Sequence, residues 1–338
     1  MAYRKKLGLL PLLFFMLVAI LPPAAARAAG VRDFVIPADK HGPKILAELW
    51  TPCAAPAAEI VVDSETWPVA IHAAKDCAVP QKHLPLVVIS HGLYGDRFSH
   101  HDTAEFLADA GFAVVSINHT GDSVLSYNDK SASDISPFLT RPSDIKRLLD
   151  ALLDHPPEGL SIDQNRIGFF GFSRGGYTGL VLAGGLPDFH HPLFPCRAKI
   201  PLCQKMSDND IPPHPPGYEP RIKAFVVADP LSFFVDRSRL AAVRAPIQLW
   251  SSALGDNGGV TPANVEAIAQ NLPVRPEFHP VPNSAHMSFI FPCAPALAKT
   301  NPPQVCTDPP GFDRTAFHAQ FNAEVLRFFR ARLGQGPQ

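Results

Sequence analysis

Five consecutive residues, Gly171-Phe172-Ser173-Arg174-Gly175, put a hydroxyl between two glycines, directly after an apolar run and directly before a segment of helical character. In that context GxSxG is a sharp strand-to-helix turn: the glycines let two elements pass closely while the serine oxygen projects from the end of a sheet. The chemistry it suits is attack on a carbonyl. A serine hydroxyl is a weak nucleophile and needs a base oriented by an acid, which on this turn follow in the order Ser, Asp/Glu, His. Of the 14 histidines, His286 stands in a loop just after an expected last strand, residues 277–281, and is the candidate base. His279 lies within that strand, His318 reads as a surface residue of the final helix, and His190, His191 and His214 belong to a Pro-rich segment. Two positions compete for the acid. Asp229 ends the apolar run 224–228 and precedes Pro230, whereas Asp256 follows the next run inside Gly255-Asp256-Asn257-Gly258-Gly259; Asp236 is a third candidate. A tetrahedral oxyanion needs N–H donors. The N–H of Arg174, at the helix start, is one candidate. The other is the N–H of Leu93, which Gly92 lets turn toward Ser173 within Ser90-His91-Gly92-Leu93-Tyr94-Gly95.

These groups require a scaffold that brings distant segments to one edge. From about residue 84 the chain alternates apolar runs with amphipathic stretches. The runs are 86–90, 112–117, 167–170, 224–228 and 247–250. Between them lie a helix ending at Gly111, a helix opened by Pro142 with Ile145, Leu148, Leu149, Leu152 and Leu153 on one face, and a helix over 176–184; a last helix covers about 315–333. Strands apolar on both faces and separated by helices predict a mostly parallel sheet covered on both sides. The Pro-rich stretch of about 186–220 follows neither period and reads as an insertion after the nucleophile helix, over the carboxyl edge. Residues 31–83 read as one or two leading antiparallel strands (34–36 and 45–50) and an irregular connection.

The 338 residues carry 30 Lys+Arg against 31 Asp+Glu, so no electrostatic footprint for a nucleic acid exists. With 46% hydrophobic and 18% charged residues the chain is globular rather than disordered. Arg4, Lys5 and Lys6 precede an apolar run over 7–21 and the small-residue stretch Ala24-Ala25-Ala26-Arg27-Ala28, the anatomy of a secretory signal peptide over 1–28. The run is shorter than a spanning helix requires. The expectation is therefore a secreted or periplasmic protein with no stable membrane anchor, formed by residues 29–338 as one domain. Six cysteines in that part would meet an oxidising compartment. Short loop closures favour Cys196 with Cys203 and Cys293 with Cys306, leaving Cys53 for Cys77; the spacings match neither a zinc site nor a redox pair.

Taken together, Ser90-His91-Gly92-Leu93, Ala113-Val114-Val115, Gly171-Phe172-Ser173 and Val227-Ala228-Asp229-Pro230 resemble the α/β-hydrolase superfamily from about Pro85 to the C-terminus. More narrowly they are similar to the branch of predicted dienelactone hydrolases that shades into platelet-activating-factor acetylhydrolases. That resemblance implies an α/β-hydrolase fold and an oxyanion hole from Leu93 and Arg174. The acetylhydrolase pattern implies Asp229 as acid; many bacterial dienelactone-hydrolase-like proteins place the acid one strand later, at Asp256. Dienelactone hydrolases use a cysteine nucleophile, so Ser173 does not carry over their substrate. Arg174 beside the expected oxyanion offers either a site for a substrate carboxylate or a salt bridge to the insertion. The expectation is a serine hydrolase that cleaves small-molecule or lipid-like carboxylic esters through an acyl-enzyme, with no cofactor or metal. Its rivals are a non-catalytic binding protein on the same fold and an acyltransferase with the same triad.

Overall fold

The computed structural model describes residues 28–65, 68–79, 82–126, 135–191, 217–256, 259–296 and 303–334, together with Met1, Cys203, Met206 and Lys299. Ten strands form one mixed sheet: β1 (Ala28–Ile36), β2 (Ile45–Cys53), β3 (Ala58–Asp63), β4 (Pro68–Lys75), β5 (Leu84–Ser90), β6 (Ala113–Ile117), β7 (Ile162–Phe172), β8 (Ile222–Ala228), β9 (Ile247–Ser252) and β10 (Glu277–Val281). Their order is β10-β9-β8-β7-β5-β6-β2-β1-β4-β3. The six strands from β10 to β6 run parallel; β2 is antiparallel to β6 and to β1. Because successive strand residues face opposite ways, Leu86, Val88 and Phe169 enter one core and Val87, Ile89 and Phe170 the other. The first core receives α2 (Ser136–Asp154), α3 (Arg174–Leu182) and α5 (Pro262–Asn271); the second receives α1 (His101–Asp109) and α7 (Arg314–Leu333). The short α4 (Arg237–Leu240) and α6 (Pro303–Cys306) lie in connections. Helices therefore cover both faces, as the double-sided apolar runs require.

Three sequence expectations are corrected. Among the described residues, 31–83 hold four strands rather than one or two, because β3 and β4 form a hairpin whose Val69, Ile71 and Ala73 are buried at period two. The Cys53–Cys77 disulfide joins the end of β2 to the end of this hairpin. Gly30 lies against the bridge, where a Cβ would approach both cysteine Cβ atoms at 3.2–3.3 Å. The helix after β7 starts at Arg174 rather than 176, immediately beyond Ser173. Finally, α2 does not open at Pro142 but begins at Ser136 and carries that proline inside it. Proline cannot donate to the carbonyl four residues earlier. Here the buried Tyr177 hydroxyl donates to that carbonyl, Phe138 O, at 3.2 Å, and burial pushes the phenol well above its ordinary pKa so that it remains a donor.

Cys293–Cys306 is the second disulfide. The third proposed bridge falls on Cys196, outside the described residues, as do the signal-peptide residues and most of the 186–220 insertion. From that insertion Phe189 and Met206 pack into the α2/α3 core. Among the described residues no helix is long and apolar enough to cross a membrane.

Removing the Tyr177 hydroxyl leaves Phe138 O without its donor in a dry core. Tyr177→Phe should therefore lower the unfolding free energy by about 1–3 kcal/mol, read as a lower urea midpoint with an unchanged slope.

Candidate active site

Ser173 sits between β7 and α3 with φ 56° and ψ −115°, in the left-handed region that a non-glycine residue enters only when its surroundings enforce it. The enforcement is visible. Its N–H donates to Ala228 O at 3.0 Å, and its carbonyl accepts from the N–H groups of Tyr177 (3.0 Å) and Leu231 (3.1 Å). A Cβ on Gly171 would collide with the Gly175 carbonyl, and one on Gly175 with the Ser90 carbonyl. Both glycines of the motif are thus fixed by backbone approach, which locks the turn onto β5.

Asp229 ends β8, also in the left-handed region at φ 47°, with its N–H bonded to Trp250 O at 2.9 Å. Its fully buried carboxylate accepts from the Ser252 N–H at 2.8 Å and the Ser252 hydroxyl at 2.6 Å, and lies 2.7 Å from Nδ1 of His286. Ser252 was not singled out from sequence; the β8/β9 register, Ala228 opposite Trp250, carries it alongside Asp229. The other candidate acid, Asp256, has Oδ2 at 4.0 Å from the opposite ring nitrogen, Nε2 of His286, and Oδ1 accepting from the N–H groups of Gly259 (2.7 Å) and Val260 (2.8 Å). Asp236 caps α4 through the Ser238 N–H and takes no part in this group. His286 opens a 3₁₀ turn, His286–Phe289, with its N–H on Gly255 O at 3.0 Å. Its ring stacks on Phe172, the residue before Ser173, at 4.5 Å between centroids. No hydrogen bond joins the Ser173 hydroxyl to His286 in this structure; bonds of this kind commonly tighten only once substrate is held.

The remaining histidines divide by packing. His318 is buried, not on the surface: Nδ1 lies 2.6 Å from Asp102, and Nε2 lies 3.0 Å from the Ser288 carbonyl in the turn that carries His286. It occupies the same stripe of α7 as Phe321, Val325 and Phe328, a spacing visible in the sequence. His279 stacks on Trp250 at 4.2 Å within β10. His190 lies 3.3 Å from Met206 O and His191 pairs with Asp188 at 3.1 Å, while His214 is outside the described residues.

A Cβ on Gly92 would lie 3.1–3.2 Å from Phe172 and Ser173, so the 91–95 loop lies directly against the Ser173 turn. The Gly92 carbonyl is held by Nδ1 of His91 at 2.6 Å and the Gly95 N–H at 3.4 Å. In a trans peptide the following N–H points opposite to the carbonyl. The Leu93 N–H is therefore turned away from the His91 ring. His91 Nε2 accepts from the His119 N–H at 3.1 Å, which assigns its proton to Nδ1, and burial keeps the ring well below the ordinary histidine pKa. Arg141, wholly buried, donates to His91 O and to Asp122 (2.5 Å). Asp122 also receives the Arg174 guanidinium at 3.0 Å, which sits over the Phe138 ring. Arg174 is thus paired with the loop after β6. Deeper in, His119 bridges Ser90 (2.8 Å) and Asp144 (3.2 Å), and burial pushes Asp144 up to about 7. Among the described residues no group of three or more His, Cys, Asp or Glu is placed to hold a metal ion.

Neither a family model nor a curated protein matches the sequence. Solved structures do. A ferulic acid esterase from Streptomyces cinnamoneus is similar over 94% of this chain and 94% of its own, with TM-score 0.64 at 18% identity. A Klebsiella pneumoniae protein assigned provisionally as a dienelactone hydrolase covers 88% of this chain and 97% of its own, with TM-score 0.50 at 14% identity. A Bacteroides ovatus protein assigned provisionally as a dipeptidyl aminopeptidase IV matches 90% of this chain with 36% of its own, with TM-score 0.52 at 11% identity. The chain has the α/β-hydrolase fold, with the mixed sheet and two helical layers described above.

His100 supports this site from beneath, its ring edge-on to Phe170 (4.9 Å) and Phe172 (5.4 Å), and burial lowers its pKa from 6.5 to about 3. The unfolded chain takes up this proton first, so stability present above pH 6.5 is lost as pH falls from 6.5 toward 3. His100→Leu removes that contribution. Denaturant midpoints measured at pH 6.5 and pH 4 should show a loss smaller by roughly 2–3 kcal/mol than in the unmodified protein.

Proposed function

We propose that the protein is a serine hydrolase, exported from the cytoplasm, that cleaves carboxylic esters through an acyl-enzyme. The observation that carries this reading is the buried Asp229–His286 pair, 2.7 Å apart, whose imidazole stacks on the residue preceding the strained Ser173. Ser173 Oγ attacks the ester carbonyl while Nε2 of His286 takes its proton. Asp229 holds the proton on Nδ1 and stabilises the imidazolium, and Ser252 in turn fixes the carboxylate. The N–H groups of Leu93 and Arg174 receive the oxyanion. Nε2 then returns the proton to the departing alcohol, and water repeats the sequence to release the acid.

The arrangement around Leu93 supports the oxyanion role, because His91 and Arg141 orient the two peptide groups that precede its N–H. Pairing of Arg174 with Asp122 argues that this guanidinium steadies the helix start instead of binding a substrate carboxylate. Likeness to an esterase from Streptomyces cinnamoneus accords with ester chemistry, and two disulfides accord with an oxidising compartment.

A fluorophosphonate probe should label the native protein and leave Ser173→Ala unlabelled. With p-nitrophenyl butyrate, Asp229→Asn should lower kcat by about 10²–10⁴-fold, with KM little changed. Absence of labelling and of turnover in folded native protein would remove the hydrolase reading and favour a binding role.

A further inference from the structure

The mechanism uses one carboxylate at His286, yet the ring faces two. Asp229 occupies Nδ1, and Asp256 stands at 4.0 Å from Nε2, the nitrogen on the reacting side. We infer that Asp256 is a specificity determinant that selects esters by the charge of their alcohol portion, favouring cationic over neutral and neutral over anionic leaving groups. This rests on the ester-hydrolase reading and adds the class of alcohol to it.

Geometry confines the leaving group. To be protonated, its oxygen must come within about 3 Å of Nε2. It then lies within about 7 Å of Asp256 Oδ2, the 4.0 Å separation extended by one hydrogen-bond length. Nor is the carboxylate loosely placed. Its Oδ1 accepts two backbone N–H groups, its own N–H donates to Val260 O at 2.9 Å, and the neighbouring Gly255 carbonyl receives the His286 N–H at 3.0 Å. The turn bearing Asp256 and the turn bearing His286 are therefore tied together, so Oδ2 keeps its position beside the imidazole. With 31% of its side chain exposed, Asp256 reaches solvent, whereas Asp229 is fully enclosed.

Charge balance gives the direction. During transfer the Asp229 carboxylate and the imidazolium offset one another, and the Asp256 carboxylate adds a further negative charge beside Nε2. Among the described residues, the guanidinium groups of Arg141 and Arg174 are engaged with Asp122. A unit charge a few ångströms from such a partly exposed carboxylate is favoured or disfavoured about five- to tenfold at low salt, less as salt screens it.

Three butyrate esters of similar size test this: butyrylcholine, its neutral isostere 3,3-dimethylbutyl butyrate, and the butyrate ester of 3-hydroxypropionate. For the native protein kcat/KM should fall in that order, by about five- to tenfold per step at 20 mM salt, and the steps should shrink at 500 mM. Asp256→Asn keeps an oxygen for the Gly259 and Val260 N–H groups and so keeps the turn. In this variant the three values should converge to within about twofold. Equal values in the native protein, or an unchanged ranking in Asp256→Asn, would overturn the assignment while leaving ester hydrolysis intact. A loss of more than a hundredfold on the neutral ester in Asp256→Asn would also overturn it, by making Asp256 the acid of the triad. No turnover of any ester by native protein would overturn the hydrolase reading itself and this inference with it.

Discussion

The contact between the Gly175 peptide and the Ser90 carbonyl is the constraint on which the rest of the site depends. No side chain fits between them, and Gly171 is closed off in the same way by Gly175. Because α3 starts this close to β5, the chain has a single residue in which to turn from β7 into the helix. Ser173 bears the resulting left-handed conformation, of order 1–3 kcal/mol, and three backbone hydrogen bonds hold it there. The same proximity brings the 91–95 loop against the serine, so the Ser173 turn and the expected oxyanion donor are set by one packing event.

Around that turn the protein keeps an unusual amount of polarity out of water. Arg141, Asp122, Asp144, His91 and His119 are all buried, and a buried charge is tolerated only when paired and hydrogen-bonded. Each does connect: Arg141 to Asp122 and His91 O, Asp144 to Thr120 and His119, His91 to Gly92 O. Networks of this kind contribute less to net stability than to uniqueness, since any displacement strands a polar group. Through His91 within the 91–95 loop and Arg141 bonded to its carbonyl, this network sets the course of the loop.

How much was legible in the sequence follows from what each element depends on. The β7-turn-α3 unit was readable because local rules determine it: an apolar run, two glycines and a helix. Strands β5, β6, β8, β9 and β10 were readable for the same reason. The β3/β4 hairpin was not, because its strands are short, Pro68 opens the second, and pairing with β1 rather than a local pattern fixes them. Pro142 suggested a helix start, and nothing local reveals that Tyr177, 35 positions later, supplies the missing donor. Asp229 and Asp256 both satisfy the order rule. Their relation to the two nitrogens of one ring exists only through space, as does the support that Ser252 lends to Asp229.

The Cys293–Cys306 crosslink closes a short loop between the turn that carries His286 and the start of α7, where Asp308 ties Ser288 to Arg314. A closure of this size restricts the unfolded chain by about 3 kcal/mol, and it acts beside the imidazole rather than in the sheet. Phe289, Ile290 and Phe291 before the bridge and Val305 within its loop belong to the α1/α7 core, so the crosslink couples the His286 turn to that layer. Reduction of the bridge would therefore loosen the imidazole and one helical layer together.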